Sequence, residues 1–169
     1  MTCTMRKTAI LISCVFVCTC TSCFLFNKGH WVDGVCRPKK SKFSIQKVPF
    51  QKTEELVFNK VYTGLDIASF GYGFYPDGRL IFITSEDGFA LKEKDVAGKD
   101  WNKTINIGYW RVEGKKIKIE TFICNGGGYY LKEKGEIKGD TLVFYKNIYY
   151  PLKKEVREEK YVLSKWSFD

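Results

Sequence analysis

At 169 residues the chain is long enough for one domain with a true hydrophobic core and too short for several. One histidine, His30, and seven cysteines, five of them within the first 23 residues, leave too few dedicated ligands for a zinc site and too little for a nucleophilic triad. The net charge is +9, but the lysines alternate with glutamates instead of forming a block, so solvated strand faces account for them better than a nucleic-acid surface does.

The chain opens with Arg6-Lys7, an apolar run over Thr8–Val17, and small residues Thr19, Thr21 and Ser22. That is the order of a secretory signal peptide. Losing Arg6 and Lys7 takes the charge from +9 to +7, because residues 1–23 contain no acid. An uncleaved transmembrane helix is the alternative, since Thr8–Phe26 is 19 residues without a charge. The cysteines at 14, 18, 20 and 23 also invite a metal reading, but no supporting ligand flanks them and an apolar helical run does not converge four thiolates. Phe24–Pro49 shows weak periodicity and the basic run Arg37-Pro38-Lys39-Lys40, and reads as a tether. Beyond residue 23 only Cys36 and Cys124 remain, which makes them the candidate pair for one disulfide in an exported protein.

From there the pattern turns to strands. Leu56–Tyr62 alternates, and Gly71–Tyr75 and Arg79–Thr84 flank the turn Pro76-Asp77-Gly78. Glu86–Thr104 is a charged insertion with room for a strand or a helical turn near Phe89–Lys94. Asn106–Phe122 reads as a hairpin joined at Glu113-Gly114-Lys115. Side-chain alternation puts Trp110, Val112, Ile117, Ile119 and Thr121 on a dry face, and Arg111, Lys116, Lys118 and Glu120 on a wet one. After the loop Asn125–Gly128, Tyr129–Lys138 and Thr141–Tyr149 form another hairpin around Gly139-Asp140. Pro151–Glu159 reads as a charged loop with room for a short helix, and Lys160–Phe168 as a last strand. About eight regularly spaced strands predict an all-β antiparallel meander closing into a barrel, or a β-sandwich as the alternative, behind an N-terminal signal or anchor helix.

No catalytic residue, metal ligand or cofactor site stands out. Glu86, Asp87, Asp95 and Asp100 have the right chemistry for a glycosidase, but they sit among lysines in one loop and read as solvated. Asn125-Gly126-Gly127-Gly128 lacks the lysine and following helix of a phosphate loop. In a barrel the strands are committed to packing, so contacts to a ligand or partner fall on loops. Phe89, Leu91 and Trp101 in the long insertion are the candidates.

The N-terminal segment resembles the signal of a bacterial lipoprotein, with Thr21-Ser22-Cys23 matching the cleavage site. The resemblance implies lipid on Cys23, with Cys18 and Cys20 as alternatives, and Phe24 in place of Asp implies the outer membrane. The strand-turn-strand stretches FYPDGRLIF (Phe74–Phe82), GYWRVEGKKIKIE (Gly108–Glu120) and GEIKGDTLVFY (Gly135–Tyr145) resemble the small lipocalin-like barrels found on such lipoproteins. The implied map is a signal peptide over 1–22, a lipidated tether over 23–50 and a barrel over 51–169. The implied role is non-enzymatic binding of a small apolar ligand or a protein at the cell envelope, with membrane attachment through lipid and no nucleic acid. An envelope hydrolase, a protein inhibitor of a hydrolase, or a single-pass anchored β domain are the alternatives. Lipocalins carry Gly-x-Trp on their first strand, a place that neither Gly29-His30-Trp31 nor Gly108-Tyr109-Trp110 occupies, so no ligand-binding residue carries over.

Overall fold

Strands that alternate apolar and polar residues leave unpaired edges unless the sheet closes, and here it closes. The computed structural model describes residues 28–150 and 153–168. Eight antiparallel strands form the barrel in chain order: β3 (Lys60–Gly64), β4 (Phe70–Phe74), β5 (Arg79–Thr84), β6 (Asn106–Glu113), β7 (Lys116–Ile123), β8 (Tyr129–Lys138), β9 (Thr141–Tyr150) and β10 (Lys153–Ser167). Pairing of Tyr161 with Gly64 and of Leu163 with Tyr62 seals β10 against β3. A separate hairpin, β1 (Gly29–Val32) and β2 (Val35–Pro38), precedes it. Gly114 and Gly139, at φ 59° and 60°, supply the left-handed residues of the β6–β7 and β8–β9 turns, a conformation that costs glycine little.

Register decides which side chains fill the interior. Trp110 faces Ile119, Phe74 faces Leu80, and Tyr62 faces Tyr72, and all six are essentially inaccessible. They crowd one half of the barrel, where Phe58 stacks on Trp110 with ring centroids 5.6 Å apart and Leu56 is buried beneath. The expected strand over Leu56–Tyr62 therefore starts only at Lys60. Asn59, at φ 58°, breaks the extended run, and Leu56 and Phe58 leave the ladder to plug the barrel end.

The outer wall is less wet than alternation suggests. Arg111 and Glu120 point outward as expected, yet both are buried, because the segment from Phe43 to Phe50 crosses over them. Arg111 donates to the carbonyl of Val48 at 2.8 Å and to that of Pro49. Glu120 accepts from the Ser44 hydroxyl and the Ile45 amide and pairs with Lys132 at 2.9 Å. On the β3–β5 side, Val61, Ile81 and Ile83 form an outer apolar cluster under Leu91, Val96 and Phe168.

Two further expectations change. From Gly29 onward the supposed tether is packed structure: Phe43 and Cys36 are buried against Phe122, and Cys36 is bonded to Cys124 with Cα atoms 6.2 Å apart. Pro151–Glu159 is not a loop over its described part, since β10 begins at Lys153 and pairs with β9 from there to Val162. Its sequence hides this. Pairing of β9 with β8 ends at Phe144 and pairing of β10 with β3 ends at Tyr161, so beyond these points the two strands pair only with each other, and β10 keeps a charged composition there. In the long insertion the regular element is a single helical turn, α1 (Glu93–Val96), whose Asp95 carboxylate accepts from the Lys92 amide at 2.9 Å. The expected lipid site Cys23, its alternatives Cys18 and Cys20, and the apolar run Thr8–Phe26 lie outside the described residues. Among those that are described, no helix is long and apolar enough to cross a membrane.

Candidate functional site: the cavity at the open end of the barrel

The half of the barrel away from the Trp110 plug is hollow. Its cavity has a volume of about 640 Å³, within the range that holds a small organic molecule. Ile67, Phe70, Phe82, Ile105, Ile123 and Leu131 supply apolar wall. Each of the strand residues among them arrives by register: Phe82 opposite Tyr72 on β4–β5, and Leu131 opposite Thr121 on β7–β8. Trp31 from the N-terminal hairpin and Tyr129 from β8 stand at the mouth, 65% and 48% exposed.

The polar lining includes Thr84, Asn106 and Asn125 and, at its floor, Tyr72, Lys146 and Tyr161, which are backed by two carboxylates. Tyr72 on β4 donates to Glu133 on β8 at 2.6 Å. Lys146 on β9 lies 3.3 Å from Glu133 and 2.5 Å from Glu159 on β10. Tyr161 donates to Glu159 at 3.4 Å. Lys146 thus ties β8 to β10 just beyond Phe144, where backbone pairing between β8 and β9 stops. Glu133 Oε1 is buried and accepts no hydrogen bond among the described residues, which leaves the ammonium of Lys146 as its compensation.

The electrostatics follow from depth. Burial pushes the Tyr72 phenol well above its ordinary pKa, and the charge of Glu133 adds to the effect. The Tyr161 phenol is raised in the same way, by burial first and then by Glu133 and Glu159. For Lys146 burial opposes the charge, but the two carboxylates outweigh it and hold the ammonium above its usual range. At neutral pH both phenols are protonated donors and Lys146 is charged.

The residues singled out in the sequence fall elsewhere. Leu91 is buried on the outer wall, Trp101 packs edge-on against Tyr109 and under Arg79, and Phe89 is 74% exposed. None of the three lines the cavity: Leu91 and Trp101 share the outer apolar cluster, and Phe89 stands in solvent. The loop carboxylates serve local structure: Asp87 pairs with Lys92 at 2.6 Å, Asp95 caps α1, and Asp100 pairs with Lys103 at 3.0 Å. His30 is exposed on β1, and Asn125 and Gly126 form part of the cavity rim. Among the described residues no three metal-ligating side chains cluster.

Sequence reasoning missed Glu133, Lys146 and Glu159. The available signal was charge at inward parity: Glu133 lies two residues from Leu131 and from Gly135, and Lys146 two after Phe144. Neither Glu133 nor Glu159 is among the residues that line the cavity. Compared with family models, curated proteins and solved structures, the chain matches none.

Proposed function

We propose that this chain is a membrane-anchored binding protein of the cell envelope, lipocalin-like in design, that holds a small apolar ligand in the open half of its barrel and performs no chemistry on it. The observation that carries the reading is the asymmetry of the interior. One half is plugged by Trp110 and its aromatic neighbours, while the other keeps about 640 Å³ lined by Phe70, Phe82, Ile123 and Leu131.

The direction of the chain supports the anchored half of the proposal. The Lys28 amide donates to the carbonyl of Gly127, beside Asn125 and Gly126 on the cavity rim, so Lys28 lies at the mouth. Cys23 is five residues earlier, a reach of roughly 17 Å at most. A lipid on Cys23 keeps the mouth near the bilayer surface. Binding of a protein partner is the second reading, favoured by the exposure of Phe89 on the long insertion.

Titration with a neutral naphthylamine fluorophore tests the cavity. Saturable one-to-one enhancement is expected for the wild type. Leu131→Trp, which fills the space, is expected to weaken binding by at least about tenfold, a loss of about 1.4 kcal/mol. Equal affinity in a folded Leu131→Trp variant overturns the assignment. Cys23→Ser is expected to move the protein out of the membrane fraction, and retention there overturns lipid anchoring at that residue.

A further inference from the structure

We propose that the cavity selects ligands whose buried end is an uncharged hydroxyl, not a carboxylate and not an amine. The inference rests on the reading of the cavity as a ligand site and deepens it.

Charge bookkeeping at the cavity floor carries the argument. Lys146 is the one ionic side chain in the described lining. It is already shared between Glu133 at 3.3 Å and Glu159 at 2.5 Å, so the floor holds two carboxylates for one ammonium. A carboxylate head would add a third negative charge in a poorly hydrated place, where like charges repel strongly. A cationic head fares no better, because it meets the ammonium first: the Lys146 side chain is 34% exposed, against 3% for Glu133 and 9% for Glu159 behind it. Arg157 faces Lys146 across the β9–β10 ladder, but it is exposed and outside the cavity lining.

A hydroxyl fits what remains. An ammonium has three protons, and Lys146 has two carboxylate neighbours, Glu159 at 2.5 Å and Glu133 at 3.3 Å, so at least one proton is left for a ligand oxygen. Tyr72 donates to Glu133 and Tyr161 to Glu159, and the two phenols also lie within hydrogen-bonding reach of each other. A phenol oxygen has two lone pairs, so one stays open to accept the ligand's O–H. A neutral group that both accepts and donates satisfies the floor without adding charge. The apolar body then lies along Phe70, Phe82 and Leu131 toward the mouth.

Displacement of the naphthylamine fluorophore by decanol, decanoate and decylamine at neutral pH tests this on the full chain. Decanol is expected to compete at concentrations at least about tenfold lower than either charged analogue. Glu159→Gln, which removes one negative charge, is expected to narrow the gap between decanol and decanoate, and the Glu133→Gln/Glu159→Gln pair to reverse it. Far-UV circular dichroism establishes that the variants fold, and if they do not, the wild-type ranking decides alone. Equal or stronger competition by decanoate or decylamine in the wild type overturns the hydroxyl preference and leaves the cavity assignment standing. Failure of the fluorophore itself to bind overturns the cavity assignment, and this inference with it.

Discussion

The phenol of Tyr72 on β4 hydrogen-bonds Glu133 on β8 at 2.6 Å, and these strands stand opposite each other in the eight-strand order. The bond spans the barrel where the packed half gives way to the cavity, and so acts as both strut and floor. Its partner atoms are buried, which makes it expensive to break from one side only. Tyr72→Phe is expected to lower unfolding stability by about 1.5–3 kcal/mol, the range for a hydrogen bond to a charged group. Urea titration with an unchanged slope measures it, and a loss below about 0.5 kcal/mol would place Glu133 in contact with water instead.

The plug is the more demanding part of the interior. Trp110 is wholly inaccessible, donates its indole N–H to the carbonyl of Tyr75 at 2.9 Å, and packs against Phe50, Phe58 and Phe74. Trp110→Ala is expected to cost about 3–5 kcal/mol through lost transfer energy and the void left behind. Thermal and urea melts check the value.

Glu120 gives the fold an acid-sensitive contact. Burial works against its charge, but the Ser44 hydroxyl, Lys132 and the Ile45 amide outweigh that and hold its pKa below the ordinary 4.5. A carboxylate whose folded pKa is depressed stabilises fully above its unfolded value and loses that contribution as pH falls through the folded one. The wild type is therefore expected to be more stable than Glu120→Gln near neutrality, with the difference shrinking below the ordinary value of 4.5. A difference independent of pH would mean that the charge of Glu120 is not what the Ser44 segment recognises.

The Cys36–Cys124 bond joins residues 88 apart in sequence and fastens the β1–β2 hairpin to the barrel rim. In the chain-entropy account, a cross-link over so long a loop stabilises by limiting the unfolded ensemble. A Cys36→Ser/Cys124→Ser variant is expected to lose about 2–4 kcal/mol while keeping its β-sheet spectrum. Intact-mass comparison before and after thiol alkylation checks the bond itself.

The amino-acid sequence by itself determined the all-β class, the turns at Pro76-Asp77-Gly78, Gly114 and Gly139, and which residues share a strand face. Period-two alternation and turn residues are local, so Trp110 and Ile119 were legible as core before any contact was known. Only the tertiary structure decided what each face meets. Arg111 and Glu120 belong to an outward row, but a segment more than 60 residues earlier covers them. Leu56 and Phe58 look like strand residues until Asn59 turns the chain and sends them across the barrel end. The same holds for the site. Glu133, Lys146 and Glu159 lie on three strands, and each looks like an ordinary solvated charge in its own segment. Barrel closure sets them around one point, because register and curvature, not local pattern, determine which inward positions coincide.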